Sequence, residues 1–355
     1  MPELPEVETV RRRLLTCLPG LLVRVVLLND ATVSEQSEPE LRALLAGRRV
    51  TGLRRRGKYL IVDLGAPQRP GRQAEEPAAA AASAATAVSP AASAAPAASP
   101  ALPAASPAAP SASPAAASAG PTVAVIHLRM TGQVLFRPGP AERPPRFVWL
   151  LEPRTELHFQ DVRRFGRLWA FPPAREAEFF AGMGPEPFGE DFTVEYLRRE
   201  LEGRRAPLKS FLMDQRRIAG VGNIYADEAL FRARLHPLRA SGSIGPREAR
   251  RLHAALLETL QAGIDHEGSS IESFVDPAGV RGSFQEILSV YQRTGEPCRV
   301  CGTTVRRTVV GGRGTHFCPH CQPRRGGMSP GSRRLRGSET PPRPGRTAGG
   351  VPPTV

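Results

Sequence analysis

Met1-Pro2-Glu3-Leu4-Pro5-Glu6-Val7-Glu8 opens the chain and sets a secondary amine beside a carboxylate at the terminus. Once Met1 is removed, the ring nitrogen of Pro2 becomes the terminal amine. An α-amine titrates at about 7.7 to 8.0, well below lysine at about 10.4, so a sizeable unprotonated fraction exists near neutral pH. Such an amine attacks carbon electrophiles and forms Schiff bases. Glu3 beside it has the chemistry of a general acid and base. The same residues also spell an ordinary helix start, with proline near the first helical position, acids in the first turn, and Val7, Val10 and Leu14 at helical spacing. The octapeptide alone favours that plainer reading, and the rest of the chain has to decide.

The chain of 355 residues is long enough for two domains with real cores. Its net charge of +14 and pI near 10.8, carried mainly by arginine, imply a polyanionic partner, most commonly nucleic acid. A basic membrane-surface protein is the weaker reading, because no stretch is amphipathic with one basic face. No run of 18 apolar residues marks a transmembrane helix, and the N-terminus lacks the basic-then-apolar pattern of a signal peptide. Four of the five cysteines form two Cys-x-x-Cys pairs, which reads as metal and not disulfide, while Cys17 lies on an apolar helix face as core.

Along the chain, residues 3–18 read as a helix stopped by Pro19-Gly20, followed by an apolar strand at 21–28 and a short helix at 39–45. The basic segment from Gly47 alternates into a strand by Asp63. Residues 74–121 are almost nothing but Ala, Pro and Ser, which offer too little apolar surface to offset ordering entropy, so they are expected to form a disordered insert between two strands. Strands at short spacing resume with 123–136 and continue to Phe171, giving a β-sandwich after one leading helix. From Gly184 the pattern is helical, at 194–202, 207–214, 224–233 and 246–263. A Gly-rich region at 268–282 is expected to be flexible, and the Gly/Pro/Arg tail from Pro323 to be a disordered basic arm.

Cys298-x-x-Cys301 and Cys318-x-x-Cys321, with sixteen residues between the pairs, have tetrathiolate zinc-ribbon spacing. Four protein ligands saturate tetrahedral zinc and leave no position for water, so this metal is structural. Upstream, Gly220-x-Gly222-Asn223 before a helix offers backbone amides and a capping asparagine at a positive helix end, which suits a phosphate and equally suits an ordinary cap.

Taken together, Pro2 to Glu8, Arg56-Gly57-Lys58-Tyr59-Leu60, Gly220 to Glu228 and the two cysteine pairs resemble the bacterial formamidopyrimidine-DNA glycosylases over residues 2–64 and 122–321. The resemblance implies an α+β multidomain fold. It comprises a β-sandwich with a leading helix (2–182, interrupted by the insert 74–121), a helix-two-turn-helix domain (183–285), a zinc-ribbon finger (286–322) and a disordered tail (323–355). It implies Pro2 as nucleophile, Glu3 as proton carrier, Lys58 in the active site and Arg313 as the finger arginine at the lesion phosphate, with Arg306 and Arg307 as fallbacks. Asn223 and Lys209 then contact DNA phosphates, and Met130, Arg163 and Phe165 fill the void left by an extruded base. One structural zinc is implied, with no redox or nucleotide cofactor.

The implied partner is double-stranded DNA carrying oxidised purines or abasic sites, acted on by a monomeric, non-membrane, cytoplasmic and nucleoid-associated bacterial enzyme. Arg129 departs from the glycine expected before Met130, and the stretch 143–146 lacks histidines common in relatives. An endonuclease VIII-like enzyme for oxidised pyrimidines is the alternative within the fold, and Leu4 argues against it. A non-catalytic zinc-ribbon DNA-binding protein is the alternative outside it.

Overall fold

The structure is a computed structural model that describes residues 1–67, 119–137 and 143–324. The expected insert falls mostly on residues 68–118 and the expected tail mostly beyond Arg324, so both lie outside the described residues.

Helix α1 spans Leu4–Leu15, and its start is fixed locally: the Glu6 carboxylate reaches back to accept the Glu3 N–H at 2.7 Å. Val7, Val10 and Leu14 bury one face as their spacing requires, and the helix ends at Thr16, ahead of Pro19-Gly20. Strand β1 (Leu22–Leu28), helix α2 (Glu38–Leu45) and strands β2 (Arg48–Arg56) and β3 (Tyr59–Leu64) follow. The set continues with β4 (Thr122–His127), β5 (Gly132–Phe136), β6 (Phe147–Glu152), β7 (Thr155–Asp161) and β8 (Arg167–Phe171).

The eight strands are antiparallel in the order β5-β7-β6-β1-β2-β3-β4-β8. Only Leu22 and Val23 of β1 pair with β2, and the ribbon folds over at that short seam. Val26, Phe147, Trp149 and Phe159 from one half then share a core with Leu60, Val62, Ile126 and Leu168 from the other, which makes the expected sandwich. Alternation along β3 sends Tyr59 and Ile61 to the opposite face, against Trp169 and Phe179. At the mouth of the insert, β3 and β4 pair through Leu64 and Thr122. Buried Arg48 donates to the carbonyls of Gly65 and Gly120 on the two sides of that mouth.

After α3 (Glu176–Phe179) the chain becomes helical, with α4 (Val194–Leu201), α5 (Leu208–Leu212), α6 (Asn223–Arg232) and α7 (Pro246–Asp265). Their apolar faces form a second core around Leu208, Tyr225, Leu230, Leu252 and Leu256, and Leu4 of α1 is packed into it. The segment 268–282 is not a loose linker. Ser270 Oγ donates to Phe274 O at 2.7 Å and accepts the Gly282 N–H at 2.9 Å, while Phe274 enters the sandwich core. Here glycine and serine serve close turns and side-chain-to-backbone hydrogen bonds. The chain ends its described course in a hairpin of β9 (Arg306–Val310) and β10 (Arg313–Phe317), turned by Gly311 and Gly312 at positive φ.

Candidate active site and nucleic-acid interface

The start of α1 and the start of α6 meet. The Leu4 N–H donates to Gly220 O at 3.1 Å, and Glu3, only 1% exposed, accepts the Ile224 N–H on Oε1 at 3.0 Å. Glu3 therefore supplies the cap of α6 from 221 positions away in sequence, and Asn223 is the first helical residue instead of the expected cap. Its Nδ2 donates to the Tyr291 hydroxyl at 3.3 Å, and its Oδ1 is buried without a partner.

Gly220 and Gly222 are required by this close approach. A Cβ on Gly220, whose φ is +83°, would run into the Leu4 side chain; one on Gly222 would strike both the Glu3 carboxyl and Lys58 Nζ. The same loop is braced by Gln215, which accepts the Gly220 N–H at 2.9 Å and donates to Val221 O at 2.8 Å.

Lys58 sits in the tight β2–β3 turn and is buried. That turn is held by Glu186, which accepts the Gly57 N–H at 2.5 Å and a guanidinium N–H of Arg55 at 2.7 Å. Burial pushes the Lys58 ammonium below the ordinary lysine range. Glu3 opposes that shift, and the nearby Arg313 guanidinium adds to it. Lys58 and Arg313, far apart in sequence, are thus within electrostatic reach of each other. Arg129 depresses Lys58 too; it stands where a glycine was expected and occupies the left-handed backbone region (φ +56°), which glycine adopts without strain.

Beneath Glu3 lies a group the sequence reading passed over. Glu6 is fully buried and accepts from Glu3 N, the Tyr225 hydroxyl and Ser269 N, each at 2.7 Å. Burial and then the Glu3 carboxylate push its carboxyl above the usual range, against those three donors. As one of the acids in the first turn of a helix, Glu6 carries no local sign of partners more than 200 residues away.

Lys209 requires a correction. It is completely buried, with Nζ 2.7 Å from Asp227 Oδ1, 2.9 Å from Thr315 Oγ1 and 3.0 Å from Gly314 O. All three ammonium hydrogens are spent inside the protein, so none is available to a phosphate. Asp227 also accepts the His316 N–H at 2.9 Å, and the pair thereby clips β10 to α6.

Met130 lies in the β4–β5 turn, while Arg163 and Phe165 lie in the β7–β8 turn. Phe165 is 50% exposed, with the Arg163 guanidinium 5.2 Å from its ring centroid, so an apolar surface and a cation face outward together.

The four cysteine sulfurs all lie within 4.8 Å of one another, with neighbouring pairs at 3.5 and 3.9 Å. Four sulfurs about 2.3 Å from a tetrahedral zinc stand about 3.8 Å apart, so the site fits the ion and is the structural zinc site of the finger.

A sandwich, a helix-two-turn-helix bundle and a tetrathiolate ribbon gathered around an amino-terminal carboxylate and a lysine define the class of zinc-ribbon DNA glycosylases. Residues 1–80 and 111–168 match the formamidopyrimidine-DNA glycosylase N-terminal domain, 183–275 the H2TH domain of the same enzymes, and 295–324 the zinc finger found in FPG and IleRS. The formamidopyrimidine-DNA glycosylase of Pelotomaculum thermopropionicum is 37% identical over 327 residues, covering 91% of this chain and 99% of the relative. That of Synechocystis is 38% identical over 332 residues, covering 91% of this chain and 99% of the relative. The crystal structure of MutM (Fpg) from Thermus thermophilus is 39% identical and superposes with a TM-score of 0.68, covering 90% of this chain and 98% of that one. Lactococcus lactis Fpg bound to abasic-site DNA gives 0.71 at 28% identity, covering 91% and 100%. The chain belongs to the formamidopyrimidine-DNA glycosylase family.

Proposed function

We propose that Pro2, freed by removal of Met1, is the nucleophile of a bifunctional base-excision-repair enzyme. The enzyme excises oxidised purines such as 8-oxoguanine and formamidopyrimidines from duplex DNA and then cleaves the abasic site. The observation that carries the assignment is the convergence of the Glu3 carboxyl, Lys58 Nζ and the glycine start of α6 beside residue 2.

In this reading the Pro2 nitrogen attacks C1′ of the extruded nucleotide. The C1′–base bond breaks, its electron pair leaves on the base, and the sugar ring opens to an iminium. The iminium acidifies the neighbouring sugar protons, so the two flanking phosphates are eliminated in turn. Glu3 exchanges protons at the sugar, Lys58 supplies positive charge near base and phosphate, and Arg313 and Asn223 hold the phosphate backbone. Met130, Arg163 and Phe165 fill the space vacated by the base. The zinc supplies no chemistry to these steps and holds the hairpin that carries Arg313.

The division into 2–182, 183–285 and 286–322, action as a monomer and a cytoplasmic, nucleoid-associated location belong to the same reading. Among the described residues no helix is long and apolar enough to cross a membrane.

Borohydride trapping on a duplex with a single 8-oxoguanine tests the nucleophile. The processed protein should give a covalent complex, and protein retaining Met1 should give none. Equal trapping with Met1 in place would assign the chemistry to a lysine.

A further inference from the structure

The turns carrying Met130 and Phe165 are joined by one hydroxyl. Thr131 Oγ1 donates its single hydrogen to Asp161 Oδ1 at 2.5 Å and accepts the backbone N–H of Arg163 at 3.1 Å. It is flanked by Met130 on its own turn and bonded to Arg163 on the other, so it ties the two turns directly. The Asp161 side chain is fully buried and its second oxygen accepts the Gly166 N–H at 2.6 Å, fixing the far end of the same turn.

Behind it, buried Arg146 reaches Asp161 at 3.4 Å and Asp30 at 2.9 Å, and donates to Gly166 O at 2.8 Å. Arg164 closes the set by donating to Asp30 at 2.8 Å. Arg146 and both carboxylates are buried while Arg164 joins from the surface, and removing Arg146 would leave the Asp161 charge buried and uncompensated. The network therefore favours one arrangement of both turns. Gly132 enforces the same geometry, since a Cβ there would collide with the Leu128 backbone.

We propose that Asp161, acting through the Thr131 hydroxyl, is a positioning residue that locks the two turns so that Met130, Arg163 and Phe165 enter the duplex as a single wedge. A wedge ordered in advance loses less conformational freedom on insertion than three independent side chains. The lock rests on the void-filling reading of those three residues. It should matter where a base has to be driven out of the stack, and much less where the base is already absent.

The test compares single-turnover excision from an 8-oxoguanine duplex with cleavage of a preformed abasic duplex, using the zinc-loaded full chain. Thr131→Val should slow 8-oxoguanine excision about tenfold, the equivalent of one hydrogen bond, and abasic cleavage at most about twofold. Thr131→Ser, which keeps the hydroxyl, should restore excision. A second measurement stands even if the valine variant folds poorly. Met130→Ala and Phe165→Ala should be non-additive, the double variant losing clearly less than the product of the single losses, because either one spoils the common wedge. Strictly multiplicative losses, or a Thr131→Val protein that matches the parent on both substrates, would overturn the lock. Phe165→Ala alone separates the two levels: equal loss on both substrates rejects the void-filling reading and the lock with it, whereas selective loss beside multiplicative doubles rejects the lock only.

Discussion

The sandwich and the finger each bring a cation to the same centre, Lys58 from one and Arg313 from the other, but they are held by different forces. The sandwich encloses Trp149, Phe147, Phe159 and more than twenty other buried apolar side chains between its two halves and α1. The buried cluster at the finger contains Phe231, Val290 and Val305, with Cys298 and Cys318 as its remaining members. A core that small supplies little hydrophobic stabilisation, so the finger depends on its metal and on the Lys209–Asp227 clip. Packing thus positions Glu3 and Lys58, whereas coordination and charge hold the hairpin that carries Arg313. Damage should separate the two.

Zinc removal should separate the two regions most. Structural zinc contributes on the order of 10 kcal/mol to the folding of small ribbons, far more than the finger's apolar contacts offer. Chelation, or Cys298→Ser, should lower affinity for lesion duplex by on the order of 100-fold, about 2.7 kcal/mol. The main thermal transition, dominated by the sandwich, should barely move. Calorimetry and duplex titration on one sample decide the matter: intact affinity would remove the finger from the interface, and a collapsed main transition would show that the two regions are one cooperative unit.

The clip is the next largest effect. Lys209→Met leaves Asp227 buried without its cation and should cost roughly 3 to 5 kcal/mol, and pairing it with Asp227→Asn should recover part of the loss. Duplex affinity should fall because β10 is no longer seated, while the slope of log affinity against log salt stays as in the parent. Arg313→Ala makes the contrast, reducing that slope by about one phosphate contact. A slope lowered equally by Lys209→Met would place its ammonium on the DNA after all and reverse the assignment made from burial.

Lys209 also shows where the sequence stopped being readable. Contiguous signals transferred well: the period of α1, the alternation in β3 and the cysteine spacing each follow from local geometry, and each lies where it was expected. Lys209 failed because a cation in a basic chain looks like a phosphate ligand, and only the fold reveals Asp227, Gly314 and Thr315 closed around it. Asn223 has the sequence of a cap for the same local reason, whereas the true cap, Glu3, comes from the start of α1, 221 positions away. Glu6 is silent in the sequence because its partners Tyr225 and Ser269 arrive from far along the chain. In the 268–282 segment glycine and serine report permissive backbone without saying whether a core residue such as Phe274 pins it.

The sandwich should tolerate change far better than the finger. One cysteine should disable the finger, whereas the sandwich already accommodates a long interruption between two of its paired strands. Asp63 and Leu64 face Val123 and Thr122 in continuous register, and Arg48 bridges the carbonyls of Gly65 and Gly120 across the mouth. The sheet therefore holds both ends of the connection, whatever its length. Removing residues 74–117 keeps every one of these contacts and shortens the connection roughly fourfold, which by loop-closure entropy should raise stability by only about 1 kcal/mol. Cleavage of the 8-oxoguanine duplex should stay at the parent rate, although Lys58 immediately precedes the strand that leads into the connection, because the Lys58 turn is fixed by Glu186. A shortened protein that keeps its zinc and its melting transition but loses cleavage would give the segment a part in the reaction, and the sandwich could no longer be treated as positioned by packing alone.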